Sequence, residues 1–151
     1  MRIRKAEKKD WLMLLEWRND EITRKNSINS NLVNEHDHKE WFFSSLKSEK
    51  REILIVEENE FAIGTLRVDF KDGDKILSWT VAPEYRGKGY AKKMLKMLVD
   101  KLEGELVAFI KPDNTASVKV AEYAGFKLFK SNPELLVYKI KDDEDRKFRD
   151  R

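Results

Sequence analysis

The pattern of apolar and polar positions divides the chain into short strands and amphipathic helices. Alternating or β-branched apolar runs predict strands over residues 2–6, 51–57, 61–70, 75–81, 106–110, 127–130 and 135–140. Apolar residues at helical spacing predict helices over 11–20, 35–47, 88–103 and 114–123, with a further helical piece over 21–26. This order predicts one mixed α/β domain with a central sheet of about seven strands and about four helices.

Individual residues refine this pattern. Asp10 is placed to cap the first helix, since a carboxylate there can accept a hydrogen bond from a free backbone N–H. Trp17, Trp41 and Phe42 fall on the apolar sides of their helices, so we expect their rings to pack into the core. Gly64 interrupts a strand, which predicts a bulge or a close approach of another backbone.

A glycine-rich turn follows the strand over 75–81 and leads into the next helix. Gly87 and Gly89 lack Cβ, so the backbone there can bend sharply and approach a ligand closely. The first turn of the helix has free N–H groups and a partial positive charge. Arg86 and Lys88 add positive charge beside it. The turn therefore predicts a phosphate or pyrophosphate site.

Two common phosphate-binding motifs do not fit this turn. A dinucleotide fingerprint that starts at Gly87 needs glycine or alanine at the position of Lys92. A P-loop needs Ser or Thr directly after Gly-Lys, and Lys88 is followed by Gly89. The ligand class must therefore come from a different pattern.

Arg86, Gly89 and Ala91 fit the pattern Arg-x-x-Gly-x-Gly/Ala, and Val-Ala-Pro-Glu-Tyr precedes them at 81–85. This closely resembles the acetyl-CoA signature of the GCN5-related N-acetyltransferases (GNAT). The resemblance implies acetyl-CoA as co-substrate and a sheet in which two strands splay apart to admit pantetheine beside the backbone of 79–81. The cofactor-binding residues it implies are Trp79, Thr80, Val81, Arg86, Gly87, Lys88, Gly89, Tyr90, Ala91, Lys92, Asn114 and Ser117.

A second part of the resemblance concerns the catalytic acid. Asn114, Ser117 and a Gly-Phe pair eight residues after Ser117 resemble the family's second signature. Many members carry a tyrosine acid four residues after the position of Ser117, where this chain has Ala121. Tyr123 lies about 200° around the helix from that position and should not replace it. Ser117 is thus the candidate acid for the leaving thiolate, or else it only bonds backbone or cofactor.

Two features of the cleft stay open in the sequence. One face of the strand before the turn carries Ile76, Ser78 and Thr80, the other Leu77, Trp79 and Val81, and alternation does not say which lines the cleft. The candidates for the general base are Asp69, Glu35, His36 and His38, with water as the alternative.

The front half of the chain resembles the nucleotide-amino-sugar acetyltransferases of the pseudaminic-acid type. The residues concerned are Trp17-Arg18-Asn19 and His38-x-x-Trp41, and ribosomal-protein acetyltransferases share part of this pattern. The resemblance implies substrate contacts by Arg18, Asn19 and His38, with Arg18 on a phosphate; the alternative for Arg18 is a surface ion pair. We expect N-acetylation of a small-molecule amine on a nucleotide-linked sugar. A peptide N-terminus, a polyamine or a non-catalytic acyl-CoA-binding module are the alternatives.

Composition narrows the functional classes. The 31 basic and 28 acidic residues give a net charge of +3, which argues against a dedicated nucleic-acid binder. No cysteine is present, so a disulfide framework, a thiolate zinc site and a cysteine nucleophile are excluded, and we expect no metal. No apolar run reaches the ~18 residues of a membrane helix. We expect a cytoplasmic monomer or homodimer, with a domain over 1–141 and a charged, disordered tail over 142–151.

Overall fold

Seven strands and five α-helices make up the described part of the chain, residues 1–142 of a computed structural model. The strands are β1 (Arg2–Lys5), β2 (Arg51–Glu58), β3 (Phe61–Lys71), β4 (Asp74–Val81), β5 (Leu106–Ile110), β6 (Lys127–Ser131) and β7 (Leu136–Ile140). The helices are α1 (Trp11–Asn19), α2 (Glu21–Asn26), α3 (Glu35–Leu46), α4 (Tyr90–Lys101) and α5 (Thr115–Ala124). The predicted α/β class and strand number are confirmed. The short α2 brings the helices to five rather than about four.

The strands form one mixed sheet in the order β1-β2-β3-β4-β5-β7-β6. Every neighbouring pair is antiparallel except β4 and β5, which are parallel. Helices α4 and α5 pack on one face, where Met94, Leu95 and Ala121 are fully buried. Helices α1 and α3 pack on the other face, over Ile53 and Ile55. Burial on both faces explains why β2 is continuously apolar through its middle.

The parallel pair β4 and β5 separates after only two residue pairs. Lys75 pairs with Leu106 and Ile76 with Val107, and the ladder ends there. Both strands continue, so a gap opens between residues 78–81 and residues 108–110, which we call the wedge. The carboxyl ends of two parallel strands therefore diverge, as the resemblance implied.

Gly64 on β3 permits close packing beside the wedge. A Cβ on Gly64 would lie 2.6 Å from the carbonyl oxygen of Thr80 and 2.6 Å from the Cε of Met94. Only a residue without a side chain allows β4 and the helix α4 to approach this closely. The predicted close contact is confirmed, and a register shift lies opposite it at Val56 and Glu57.

The predicted N-cap of α1 is corrected. Asp10 does not cap α1 with its side chain; its carboxylate accepts two hydrogen bonds of 2.9 Å from Arg4 and one of 2.8 Å from the Glu7 N–H. A 3₁₀ turn over Lys8–Asp10, which the pattern did not predict, places it there. Arg4 and the Glu7 N–H attract the carboxylate more strongly than the helix start does.

Trp17 and Trp41 were both expected in the core, and only Trp17 is. Trp17 is 7% exposed, whereas Trp41 is 37% exposed. The indole of Trp41 lies 5.2 Å from the guanidinium carbon of Arg51 and 5.7 Å from that of Arg67. Both guanidinium groups make cation–π contacts with the indole, and these contacts stabilise the ring outside the core.

Two further predictions concern the C-terminal tail and membrane-spanning helices. The tail over 142–151 lies almost wholly outside the described residues. Within residues 1–142, no helix has the length and apolar character needed to span a bilayer.

Candidate active site

The glycine turn connects β4 to α4 with its backbone exposed. Gly87 and Gly89 have φ values of 75° and 81°, a region that favours glycine. A Cβ at either position would meet no atom within 4 Å, so open space lies over the turn. Gly89 is the N-cap of α4 and offers no side chain, so no side-chain cap competes with a ligand for the first N–H groups. The turn has the geometry of an anion site.

Lysine and tyrosine side chains surround this turn. The ammonium of Lys88 lies 5.7 Å from the centre of the Tyr85 ring, and Tyr85 meets Tyr90 edge to face. The ammonium of Lys92 lies 5.6 Å from the centre of the Tyr123 ring. Both lysines are exposed, so they can turn toward an anion without losing an ion pair.

Arg86 makes a contact that the resemblance did not imply. Its Nη2 donates to the carboxylate of Asp20 and, at 2.8 Å, to the hydroxyl of Thr23. Burial raises the pKa of Asp20, but the hydrogen bonds from Arg86 and Thr23 outweigh it and hold that pKa below its usual range. Arg86 therefore joins the cofactor turn to the start of α2.

Helix α2 is held from the other side of the wedge as well. Lys111, which follows β5, donates to the carbonyl of Lys25 at 2.9 Å. With Arg86 after β4, the two contacts tie α2 to both strands of the wedge. The helix thus lies across the wedge on the side of α1 and α3.

The register of β3 and β4 settles which face of β4 meets which layer. Trp79 pairs with Leu66, a fully buried residue of the core beneath α4. Ser78 pairs with Arg67, and Thr80 with Thr65, on the face toward α1 and α3. The side chain of Trp79 is therefore on the face of α4, where it is partly buried against the core.

Ser117 lies in the first turn of α5. Asn114 caps this helix, and its side-chain oxygen accepts from the Ser117 N–H at 3.2 Å. No hydrogen bond of the Ser117 hydroxyl is found among the described residues. Ser117 shares a helix face with the fully buried Ala121, whereas Tyr123 is 56% exposed on another side. The geometry leaves Ser117 with a free hydroxyl and gives Tyr123 no place in the wedge.

His38 lies in the core rather than at a substrate site. It is 3% exposed, its ring stacks on Phe42, and its Nε2 donates to the carbonyl of Trp11 at 2.9 Å. Burial lowers the pKa of His38, although the bond to Trp11 opposes this. The placement contradicts the expected substrate contact and the role of general base.

Both polar atoms of the Asn19 side-chain amide form hydrogen bonds with the loop between α2 and α3. Its Nδ2 donates to the carbonyl of Val33 at 2.8 Å, and its Oδ1 accepts from the Val33 N–H at 2.8 Å. This pair of bonds fixes the Asn- and Ser-rich loop between α2 and α3. The geometry thus gives Asn19 a structural role in place of the expected contact with a sugar or peptide.

Arg18 keeps part of its guanidinium unused. Its Nη2 donates to the carbonyl of Asn29 at 2.6 Å, while its Nη1 is buried and has no partner among the described residues. Burial lowers the pKa of Arg18, and the positive charges of Arg67 and Arg24 lower it further. The ion pairs found among the described residues do not include Arg18, so the alternative of a surface ion pair gains no support there.

The remaining candidates for the base are engaged or lie on the surface. Both oxygens of Asp69 accept from arginines, from Arg51 at 2.5 Å and from Arg67 at 3.0 Å. Glu35 and His36 are exposed at the start of α3. His36 belongs to a group with Asp37 and Glu40 whose ligand atoms lie within 4.8 Å of one another, an exposed cluster that an i,i+4 contact explains.

Comparisons with known proteins define the family. The family model for the "Acetyltransferase (GNAT) domain" matches residues 1–127. The chain therefore belongs to the GNAT acetyltransferase family. Acetyl-CoA as co-substrate and N-acetyl transfer as the reaction are confirmed at this level. Neither the pseudaminic-acid type nor the ribosomal-protein type is confirmed.

The relatives are distant in sequence and close in fold. An "Uncharacterized N-acetyltransferase YfmK" of Bacillus subtilis is 27% identical over 128 residues, which cover 82% of this chain and 83% of that protein. The structure of spermidine N-acetyltransferase from Vibrio cholerae with CoA and spermine superimposes with a TM-score of 0.81 at 16% identity, covering 92% of this chain and 94% of that one. AAC(6′)-Ib with ribostamycin and coenzyme A gives 0.82 at 21% identity, covering 99% and 96%.

The first prediction concerns the turn. Gly89→Val places a branched side chain in the open space over the α4 N-terminus, so we expect affinity for acetyl-CoA to fall by about tenfold or more. Gly73→Val is the matched control, since Gly73 also has a positive φ of 84° in open space but lies in the β3–β4 hairpin. Both variants should lose about 1–3 kcal/mol of stability from backbone strain. Calorimetric titration decides: equal affinities in the two variants would move the cofactor site elsewhere.

The second prediction concerns His38 and pH. Burial lowers the pKa of His38 in the folded protein, so the unfolded chain binds more protons as the pH falls below about 6.5. Its contribution to stability is full above that pH and declines as the pH falls below it. His38→Gln keeps a donor for the Trp11 carbonyl without a titrating ring, so urea unfolding from pH 7.5 to 5 should show a shallower decline. His36→Gln, which changes the exposed histidine, should decline like the wild type; a reversed ranking would contradict the buried, neutral assignment.

Proposed function

We propose that this enzyme acetylates the primary amine of a nucleotide-linked amino sugar. The observation that carries the transferase assignment is the wedge between β4 and β5, which opens directly beside the uncapped N-terminus of α4. One element admits a thin, extended group, and the other binds the pyrophosphate to which that group is attached. Acetyl-CoA has both parts.

The residues of the chain divide the work of binding the cofactor. The N–H groups around Gly87 and Gly89 take the pyrophosphate, with Lys88 and Lys92 as mobile countercharges. The backbone of 79–81, whose edge β5 leaves unpaired, hydrogen-bonds the pantetheine amides. The thioester then lies deeper in the wedge, near Ser78.

The reaction forms a C–N bond and breaks the C–S bond of the thioester. A neutral amine attacks the carbonyl carbon, and the CoA thiolate leaves. The thiolate takes a proton, for which the free hydroxyl of Ser117 is the proposed donor. Water accepts the proton that the amine loses, since Asp69 and His38 are engaged elsewhere, and water returns a proton to Ser117 so that the turnover balances.

The acceptor enters from the side of α1, α2 and α3, the side that Ser78 and Thr80 face. Arg18 lies on that side and supports an acceptor with a diphosphate, because a guanidinium matches two phosphate oxygens at once. The two structural relatives hold spermine, a polyamine, and ribostamycin, an aminoglycoside. Amines of these kinds and peptide N-termini are the competing acceptors.

Two measurements test the function. Acetyl-CoA binds only the folded protein and should raise the melting temperature by mass action, whereas NADH and ATP should do much less. Equal shifts from all three ligands would refute the cofactor assignment. Release of free CoA across a panel of nucleotide-linked amino sugars, peptides and polyamines then separates an enzyme from a binding module. Turnover only with peptides or polyamines would overturn the proposed acceptor.

A further prediction isolates Ser117. Without a proton donor the thiolate leaves less readily, so Ser117→Ala should lower kcat by about 10²-fold, the low end for general acid catalysis, with affinity for acetyl-CoA nearly unchanged. Thr115→Ala, at an exposed position two residues earlier on α5, is the control. A decrease of less than about threefold, no larger than in the control, would return Ser117 to a structural or cofactor contact.

A further inference from the structure

Three arginines from separate elements lie toward the side of the sheet that we propose for the acceptor. Arg18 comes from α1, Arg24 from α2 and Arg67 from β3. Their charges are close enough that Arg67 and Arg24 act on Arg18 electrostatically. Within residues 1–142, neither Arg18 nor Arg24 forms an ion pair, and Arg67 shares its single carboxylate, Asp69, with Arg51. The cluster therefore carries excess positive charge.

The same cluster holds buried donors that bond to nothing. These donors are Nη1 of Arg18 and Nε of Arg24, and no hydrogen bond satisfies either within the described part of the chain. Leaving a charged donor unpaired and out of water costs free energy that packing must offset. Arrangements of this kind call for an explanation, and an absent ligand is a common one. An oxyanion would supply both the countercharge and the acceptors.

The position of Arg67 connects this cluster to the wedge. Arg67 pairs directly with Ser78 across β3 and β4, so its Cα lies ~5 Å from the strand that borders the wedge. An anion held by the three guanidinium groups would thus be a neighbour of the proposed thioester position. The indole of Trp41, 5.7 Å from the guanidinium carbon of Arg67, forms part of the same surroundings.

We propose that Arg18, Arg24 and Arg67 form an oxyanion subsite of the acceptor pocket, so that the acceptor carries a phosphate or carboxylate group in addition to its amine. This inference rests on the proposed function. It adds Arg24 and Arg67 to the acceptor site and says which charge the acceptor carries. A guanidinium cluster attracts an anionic amine and repels a polycation of the spermine type.

Calorimetric titration of the CoA-saturated protein tests the subsite. Saturating CoA occupies the glycine turn, so an added anion cannot register there. The probes are UDP, inorganic phosphate, succinate and spermine. We expect oxyanion binding that weakens by about tenfold or more in Arg24→Gln and Arg67→Gln, because each loses a charged hydrogen bond. Arg2→Gln, whose side chain is 76% exposed on β1, should stay within about twofold of the wild type.

Each result has a defined meaning. Binding of UDP and phosphate alone supports a phosphate group, binding of succinate alone supports a carboxylate, and binding of all three supports the shared chemistry. Spermine binding in place of the anions, no anion binding at all, or an equal loss in Arg2→Gln overturns the subsite. If Arg67→Gln unfolds because Asp69 loses a partner, Arg24→Gln decides alone, since Arg24 has no ion pair to lose among the described residues. Failure of CoA to bind in the first place would count against the proposed function and not against the subsite.

Discussion

The early separation of β4 from β5 is the constraint on which the rest of the structure depends. Once the β4–β5 ladder ends at Ile76, residues 78–81 of β4 have no strand paired with them on the side of β5. Backbone groups at such an edge need partners, and a linear ligand that carries amides can supply them. The two helices that follow β4 and β5 keep the gap from closing. Both pack on the same face of the sheet, and each begins close to the gap, so their N-termini face whatever enters it.

Helix α2 lies across the wedge, and polar contacts connect it to the segments that follow both β4 and β5. It is only six residues long and none of its residues is fully buried, so packing alone does not hold it in place. Polar contacts do: Arg86 reaches Asp20 and Thr23 at its start, and Lys111 reaches the carbonyl of Lys25 near its end. Because Arg86 belongs to the glycine turn, the position of α2 depends on the turn that we propose as the cofactor site.

Local patterns predicted most of the fold and the exposed glycine turn, because periodicity, glycine spacing and helix caps are local properties. What they missed depends on contacts between distant residues. The two faces of β4 are equivalent in the sequence, and only the register with β3 distinguishes Ser78 from Trp79. His38 reads as a catalytic candidate until the carbonyl of Trp11 is found against its ring nitrogen. No sequence motif marks Arg24 or Arg67 as site residues, because what distinguishes them is their electrostatic effect on Arg18 in the folded protein.

The fold does not determine the acceptor. Relatives that superimpose with TM-scores of 0.81 and 0.82 hold spermine or ribostamycin, so the same scaffold serves polycationic amines. The net charge of +3 on this chain is small, yet within residues 1–142 positive charge without an ion pair lies on the side where we propose that the acceptor enters. Placing like charges together and burying their donors lowers the stability of the protein without a ligand. The charges discriminate between ligands because an anion relieves that cost and a cation increases it. Acceptor choice in this enzyme would then follow from the sign of a few buried charges rather than from the shape of the sheet.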